Sequence, residues 1–264
     1  MKVNQPTIMS RAIFLHKIVA AICLTSLLSV CTGSFTKQVL ANESTNSDSR
    51  EGLPGRRVGG GTRGESLPIV ALVPETSEGL TTLANPTFFF YVPPTASPQM
   101  AEFVLNDESG ETVYEKKITL DANSGVLEIS ILADAKIKSL EIGKNYRWYF
   151  AVVPNAENRS NDIYVTGWIK RVQPSAEVVS QLKNLPPLDR ITVYTRNNLW
   201  YDAVATLAEL RRSRPNDPAV QTRWRELLRS VNLDDHISQQ PFINYQVPAR
   251  SASVVSSDSQ QIEY

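Results

Sequence analysis

Cysteine and histidine are almost missing from this chain. Its two cysteines, Cys23 and Cys31, both fall within the first 31 residues, and of its two histidines only His236 lies further on. Without a downstream thiol there is no Cys–His catalysis and no disulfide, and one histidine cannot build a His-rich metal centre. A Ser–His–Asp arrangement would have to use His236, yet no Gly-x-Ser-x-Gly elbow is present. His236, beside Asp234 and Asp235, reads as a satisfied or solvated histidine. The residues therefore nominate no catalytic group, cofactor or metal.

A membrane-length apolar run and an acidic N-terminus are also lacking. The run IVAAICLTSLLSV, Ile18 to Val30, falls short of the roughly 20 residues a spanning helix needs. The first 41 positions carry Lys2, Arg11, Lys17 and Lys37 and no Asp or Glu. That is the pattern of a secretory signal peptide, with Val39-Leu40-Ala41 as the cleavage site. Lipoprotein processing at Cys31 is the competing reading, but LSVC puts Val30 where a small residue is wanted. Cleavage after Ala41 leaves about 220 residues, enough for a sizeable core, and no transmembrane anchor. It removes only basic charge, turning a balance of 27 against 27 into a net of about −4. Nucleic acid is not the expected partner, because phosphate recognition demands a broad basic face. The expected location is the periplasm or the cell exterior.

Residues 42–66 are poor in large apolar side chains and read as an exposed, flexible arm ending in an Arg/Gly stretch. From 67 to 173 seven short apolar runs follow: LPIVALV, PTFFFYV, AEFVLND, ETVYEKKITL, GVLEISIL, NYRWYFAVV and IYVTGWIKRV. Strands of this length with turn residues between them predict an immunoglobulin-like antiparallel β-sandwich. Asp107-Glu108-Ser109-Gly110 supplies a hairpin, and Tyr146, Trp148, Phe150 and Val152 alternate onto one face. Tyr146, just after the Gly143 turn, fits a tyrosine corner pinning a loop between sheets; the alternative is a half-buried strand residue. PTFFFYV is apolar on both faces, as a strand covered on both sides would be. Phe88, Phe90, Tyr149 and Trp168 would form a sugar-stacking platform if they pointed outward; the expectation is that they fill the sandwich.

The pattern changes to helical over 174–233, so the fold class is α+β. The clearest helices are 199–213 and 218–231. Their joint Arg214-Pro215-Asn216-Asp217-Pro218 offers Asp217 as N-cap and Pro218 as first helical residue. The pair is similar to a single tetratricopeptide-type hairpin. A lone unit of that kind cannot bury its own face, so Trp200, Leu207, Trp224 and Leu228 are expected to pack on the sandwich or on a partner. Residues 234–264 read as a mostly disordered tail.

Taken together, GLPGRRVGGGTRG at 52–64, LVPE at 72–75, GLTTLANPTFFFYVPP at 79–94, YRWYFAVV with PNAENRS, GWIKRV at 167–172 and the helical pair resemble a secreted cyanobacterial family, domain of unknown function 928. The resemblance covers about Gly52 to Leu233. Phe89 stands where the family suggests Trp, and Pro154 where it suggests Cys. The resemblance implies no activity.

Recognition chemistry is concentrated in GRRVGGGTRG. It follows a polar arm and precedes a strand, which excludes a nucleotide loop. Arg56, Arg57 and Arg63 are the candidate anion- or partner-binding residues, since guanidinium groups grip anions bidentately; the alternative is a solubilising linker. The expected partner is an envelope protein or an anionic glycan or lipid headgroup. The expected role is a non-enzymatic binding or assembly module of the cell envelope. The alternative is an envelope hydrolase using a carboxylate pair, with Asp107 and Glu108, Glu75 and Glu78, or Asp234 and Asp235 as candidates.

Overall fold

The computed structural model describes residues 55–60, 68–131 and 138–247. The proposed signal peptide, Cys31 and Arg63 lie outside them. In chain order the strands are β1 (Val70–Ala71), β2 (Glu78–Thr81), β3 (Thr87–Val92), β4 (Gln99–Asn106), β5 (Thr112–Leu120), β6 (Gly125–Ser130), β7 (Asn145–Val153) and β8 (Ile163–Arg171). Helices α1 (Ala176–Lys183), α2 (Pro187–Arg196), α3 (Trp200–Ser213), α4 (Pro218–Arg229) and α5 (Asp235–Gln239) follow, then β9 (Phe242–Ile243) and β10 (Tyr245–Gln246). The protein is thus mixed α+β, with two sheets.

One sheet runs β1-β3-β6-β9 and the other β10-β5-β4-β7-β8-β2. All seven sequence-predicted strands are present. The order is not wholly antiparallel, because β2 pairs parallel to β8 and β9 parallel to β6. Alternation explains the layers. Tyr146, Trp148, Phe150 and Val152 of β7 are buried, and Phe88 and Phe90 of β3 meet them. Phe90 stacks on Phe150 at 4.4 Å, and Phe88 lies 4.8 Å from Phe103 of β4. On its other face β3 is covered too: Phe89 meets Phe242, and Tyr91 meets the edge of His236. That double cover is what its continuous apolar run demands.

Local chemistry sets the turns. The Asp107 carboxylate accepts the Ser109 and Glu111 N–H groups, and Gly110 takes φ 85° to close the hairpin. The buried Tyr146 hydroxyl accepts the Glu141 N–H at 2.9 Å, pinning the preceding loop. Asp217 caps α4 by accepting the Ala219 N–H, with Pro218 first in the helix. Trp200, Leu207, Trp224 and Leu228 are buried in the same core as the sheets. The helical pair is not isolated, since α3 also packs against α2.

Two stretches depart from expectation. Residues 55–60 are not a free arm. Arg56 and Thr166 of β8 exchange backbone hydrogen bonds of 2.7 and 2.9 Å, Gly59 donates to Ile69 at 2.8 Å, and Val58 bridges to Val70 of β1. Backbone pairing to both sheets needs no apolar side chain, which is why composition misses it. Similarly, residues 235–246 are not part of a disordered tail: they form α5, β9 and β10, adding an edge strand to each sheet. Residues 248–264 lie outside those described.

Asp202, in the first turn of α3, is 3% exposed and ties that helix to the sheet. It accepts the Thr82 N–H and hydroxyl. Burial pushes its carboxyl up from the ordinary aspartate value, against those hydrogen bonds, which pull it down. The folded chain therefore holds this proton more tightly than the unfolded chain. The resulting stability is present in full below the ordinary value near 4 and is lost as pH rises through the folded value. Asp202→Asn, which cannot ionise, is expected to gain on the wild type as pH is raised from about 3 to about 7. Urea midpoints of both proteins at each pH check this; a constant difference would refute it.

Candidate functional site

The outward face of β4, β7 and β8 is the place where the alternation rule leaves large side chains half-buried or exposed. With Trp148 and Phe150 buried, Arg147, Tyr149 and Ala151 must point out of the sheet. With Val165, Gly167 and Ile169 inward, Tyr164 and Trp168 point out as well, and Thr166 between them is 3% exposed where the Arg56 backbone pairs with it. Register brings them together: Arg147 lies opposite Trp168, Tyr149 opposite Thr166, and Ala151 opposite Tyr164. On the far side, Glu102 pairs with Ala151 and Val104 with Tyr149.

The result is a shallow groove of about 670 Å³. The Arg147 guanidinium sits 5.0 Å from the centre of the Tyr149 ring and 5.4 Å from that of Trp168. Arg56 lies over Tyr164 at 5.3 Å, and Tyr164 is 41% exposed. Stacking on a ring face leaves a guanidinium's N–H groups to bond in its plane, as Arg56 does through Nε to Val58 O at 3.1 Å. At one end Arg159 binds Glu102 at 2.7 Å and Asp162 at 2.6 Å. Its hydrogen bond to Glu102 is the main cause holding that carboxyl below the usual range. Asp162 Oδ1 is buried with no hydrogen-bond partner among the described residues.

The sequence-predicted arginines separate. Arg56 joins the groove. Arg57 is committed elsewhere: its guanidinium donates to Val231 O at 2.6 Å and Asn232 O at 3.2 Å, just past the end of α4. That is a C-terminal cap, where a cation is favoured. Of the four aromatics considered for a platform, Phe88 and Phe90 fill the interior, while Tyr149 and Trp168 face outward. Tyr164 and Arg147 join them, and the alternation of β7 and β8 carries the signal for both.

The acidic pairs have structural partners. Asp107 closes its hairpin, Glu108 accepts from the Asn145 backbone and side chain, and Glu75 accepts from Asn232. Asp234 caps α5, and Asp235 pairs with Arg229. His236 stands 3.2 Å from Asp234 through Nδ1. Among the described residues no group of His, Cys, Asp and Glu is arranged to hold a metal ion, and no helix is long and apolar enough to cross a membrane.

Fold and face together define a mixed α+β protein with an open arginine–aromatic surface on its larger sheet. The chain belongs to the family described as Domain of Unknown Function (DUF928), whose sequence model matches residues 57–242. The match thus reaches β9, beyond the helical pair. No curated protein matches the chain. Among solved structures, 56% of the chain is similar to 32% of a Bifidobacterium dentium beta-glucuronidase complexed with coumarin-3-O-glucuronide, at 11% identity and a TM-score of 0.24. The chain therefore spans about a third of that structure, and a likeness this slight bears on neither fold nor activity.

Proposed function

We propose that this protein is a secreted, non-enzymatic binding module of a cyanobacterial cell envelope, periplasmic or extracellular, which holds an anionic glycan across the outer face of its larger sheet. The finer fold reading belongs with it: an immunoglobulin-like sandwich carrying a tetratricopeptide-like helical pair. The observation that carries the function is the stacking of Arg56 on Tyr164 and of Arg147 on Tyr149 and Trp168 across one exposed sheet face. Sugar rings stack on such aromatics, while guanidinium edges suit carboxylate or sulfate groups. Glu102 and Asp162, the two carboxylates of the groove, are both engaged by Arg159. A hydrolytic acid needs a raised pKa; Glu102 is shifted the other way.

Affinity electrophoresis of the chain lacking residues 1–41, in gels holding a polyuronate, dextran sulfate or neutral dextran, tests this reading. Retardation is expected in the two anionic gels and not in neutral dextran, and is expected to weaken about tenfold in Tyr164→Ala combined with Arg56→Ser. Arg57→Ser should keep the retardation but lose roughly 1.5–3 kcal/mol of stability, because it abandons charge-assisted bonds to carbonyls. Equal retardation of the double variant, or none of the wild type, would sink the proposal.

A further inference from the structure

A second cleft, away from the groove, lies where the last turn of α3, the middle of α4 and the α5–β9 segment meet. It has a volume of about 410 Å³, and its walls carry three arginines and no carboxylate. Arg212 is already neutralised by Glu128 and Glu209. Arg211 is not paired with a carboxylate among the described residues. Its guanidinium lies 5.3 Å from the Trp224 ring centre and 5.2 Å from that of Phe242, and Nη2 donates to Gln240 O at 2.8 Å. Its Nη1 is buried with no hydrogen-bond partner among the described residues, and the same holds for the indole Nε1 of Trp224, a residue 1% exposed.

Two orphaned donors in residues that line one cleft call for an explanation, since buried polar groups are nearly always paired. Both are donors, neither can act as an acceptor, and the guanidinium stays charged at any working pH. The missing partner must therefore be an acceptor, and preferably an anion. Arg225, one helical residue beyond Trp224, adds a second guanidinium to the same wall. Three donor groups from two helices suit the three oxygens of a tetrahedral oxyanion better than the two of a carboxylate. The cleft is larger than an inorganic anion, and Trp224, Phe242, Pro215 and Pro241 give it apolar walls.

We propose that this cleft binds a phosphate or sulfate monoester, with Arg211, Arg225 and the Trp224 indole N–H gripping the oxyanion and the apolar walls receiving its organic part. This site is independent of the glycan-binding face.

Calorimetric titration of the full chain with phenyl phosphate, at ionic strength held constant with chloride, tests it. Inorganic phosphate and sulfate should compete, and benzyl alcohol should not bind. Arg225→Gln and Trp224→Phe should each weaken binding by about tenfold or more. Trp224→Phe keeps a ring in the core and removes the N–H, and Arg225→Gln changes a half-buried residue, so circular dichroism should show both folded. Vesicles containing phosphatidic acid separate the two sources of such an ester. Binding of the vesicles that the same substitutions weaken assigns a lipid headgroup, whereas binding of phenyl phosphate alone assigns a soluble ester. Absence of binding by both probes, or equal affinity in wild type and both variants, would overturn the proposal.

Discussion

A chain ending after Leu233 is expected to lose roughly 3–6 kcal/mol of stability relative to one ending after Val247. The segment removed, residues 234–247, holds Ile237, which is 2% exposed, and the half-buried Phe242 and Ile243. Phe242 stands between the two layers it joins, 6.4 Å from the Phe89 ring and 5.9 Å from that of Trp224. Its loss uncovers Phe89 on the outer face of β3, a ring that is 4% exposed in the intact chain. The seat of β9 on β6 is close: a Cβ on Gly125 would lie 2.3 Å from Ile243 Cγ2, and the Val126 N–H donates to Pro241 O at 2.8 Å. Shortening therefore also strips pairing from β6 and β5 and exposes two strand edges, which invite association. Urea denaturation and light scattering of the two chains measure both effects. Equal midpoints would show that β9 and β10 add nothing to the fold.

Residues 234–247 show where sequence patterning stops being informative. PFINYQ is too short to display a period, and it contributes two residues to each of two sheets. Such bridging follows from the final packing and has no local signature. The strand EGLT of β2 escaped for the same reason: four residues, mostly polar or small, paired parallel to β8. Longer elements were readable because a period had room to repeat. The α3–α4 joint was legible from Asp217-Pro218 alone, since a cap and a first-turn proline act locally. Part of the candidate site was legible as well. Once Val165 and Ile169 are assigned inward, Tyr164 and Trp168 can only face outward. Position 56 was found through its arginine, but its placement over Tyr164 depends on a backbone bridge between residues about 110 apart, which no local pattern encodes.

Gly167→Ala is expected to be among the most damaging single changes in this protein, lowering stability by about 3 kcal/mol or more. Gly167 sits opposite Trp148 in the β7–β8 register and faces the interior. Its Cβ would lie 2.4 Å from Ser77 O and 2.4 Å from Trp148 Cζ2. Neither neighbour can yield cheaply. The Ser77 carbonyl is backbone, held by the Trp168 N–H at 2.8 Å, and Ser77 itself is fully buried at φ 57°. Trp148 is fixed by its Nε1–H, which donates at 2.8 Å to the buried Tyr201 hydroxyl; that hydroxyl donates in turn to Trp168 O at 3.1 Å. A methyl group at 167 therefore has to push apart a strand, a loop and a helix that meet through one hydrogen-bonded chain. Ser77→Gly would relax the left-handed backbone but leave the carbonyl in place, so it is not expected to rescue Gly167→Ala. Chemical denaturation of the single and double variants decides the matter. A loss below about 1 kcal/mol for Gly167→Ala, or full rescue in the double variant, would mean that the β2–β8 junction yields where its geometry says it is locked. Because Trp168 belongs both to this junction and to the outer face, the proposed glycan-binding role further predicts that a folded remnant of Gly167→Ala is retarded less in the anionic gels, coupling the interior of the sheet to the surface it presents.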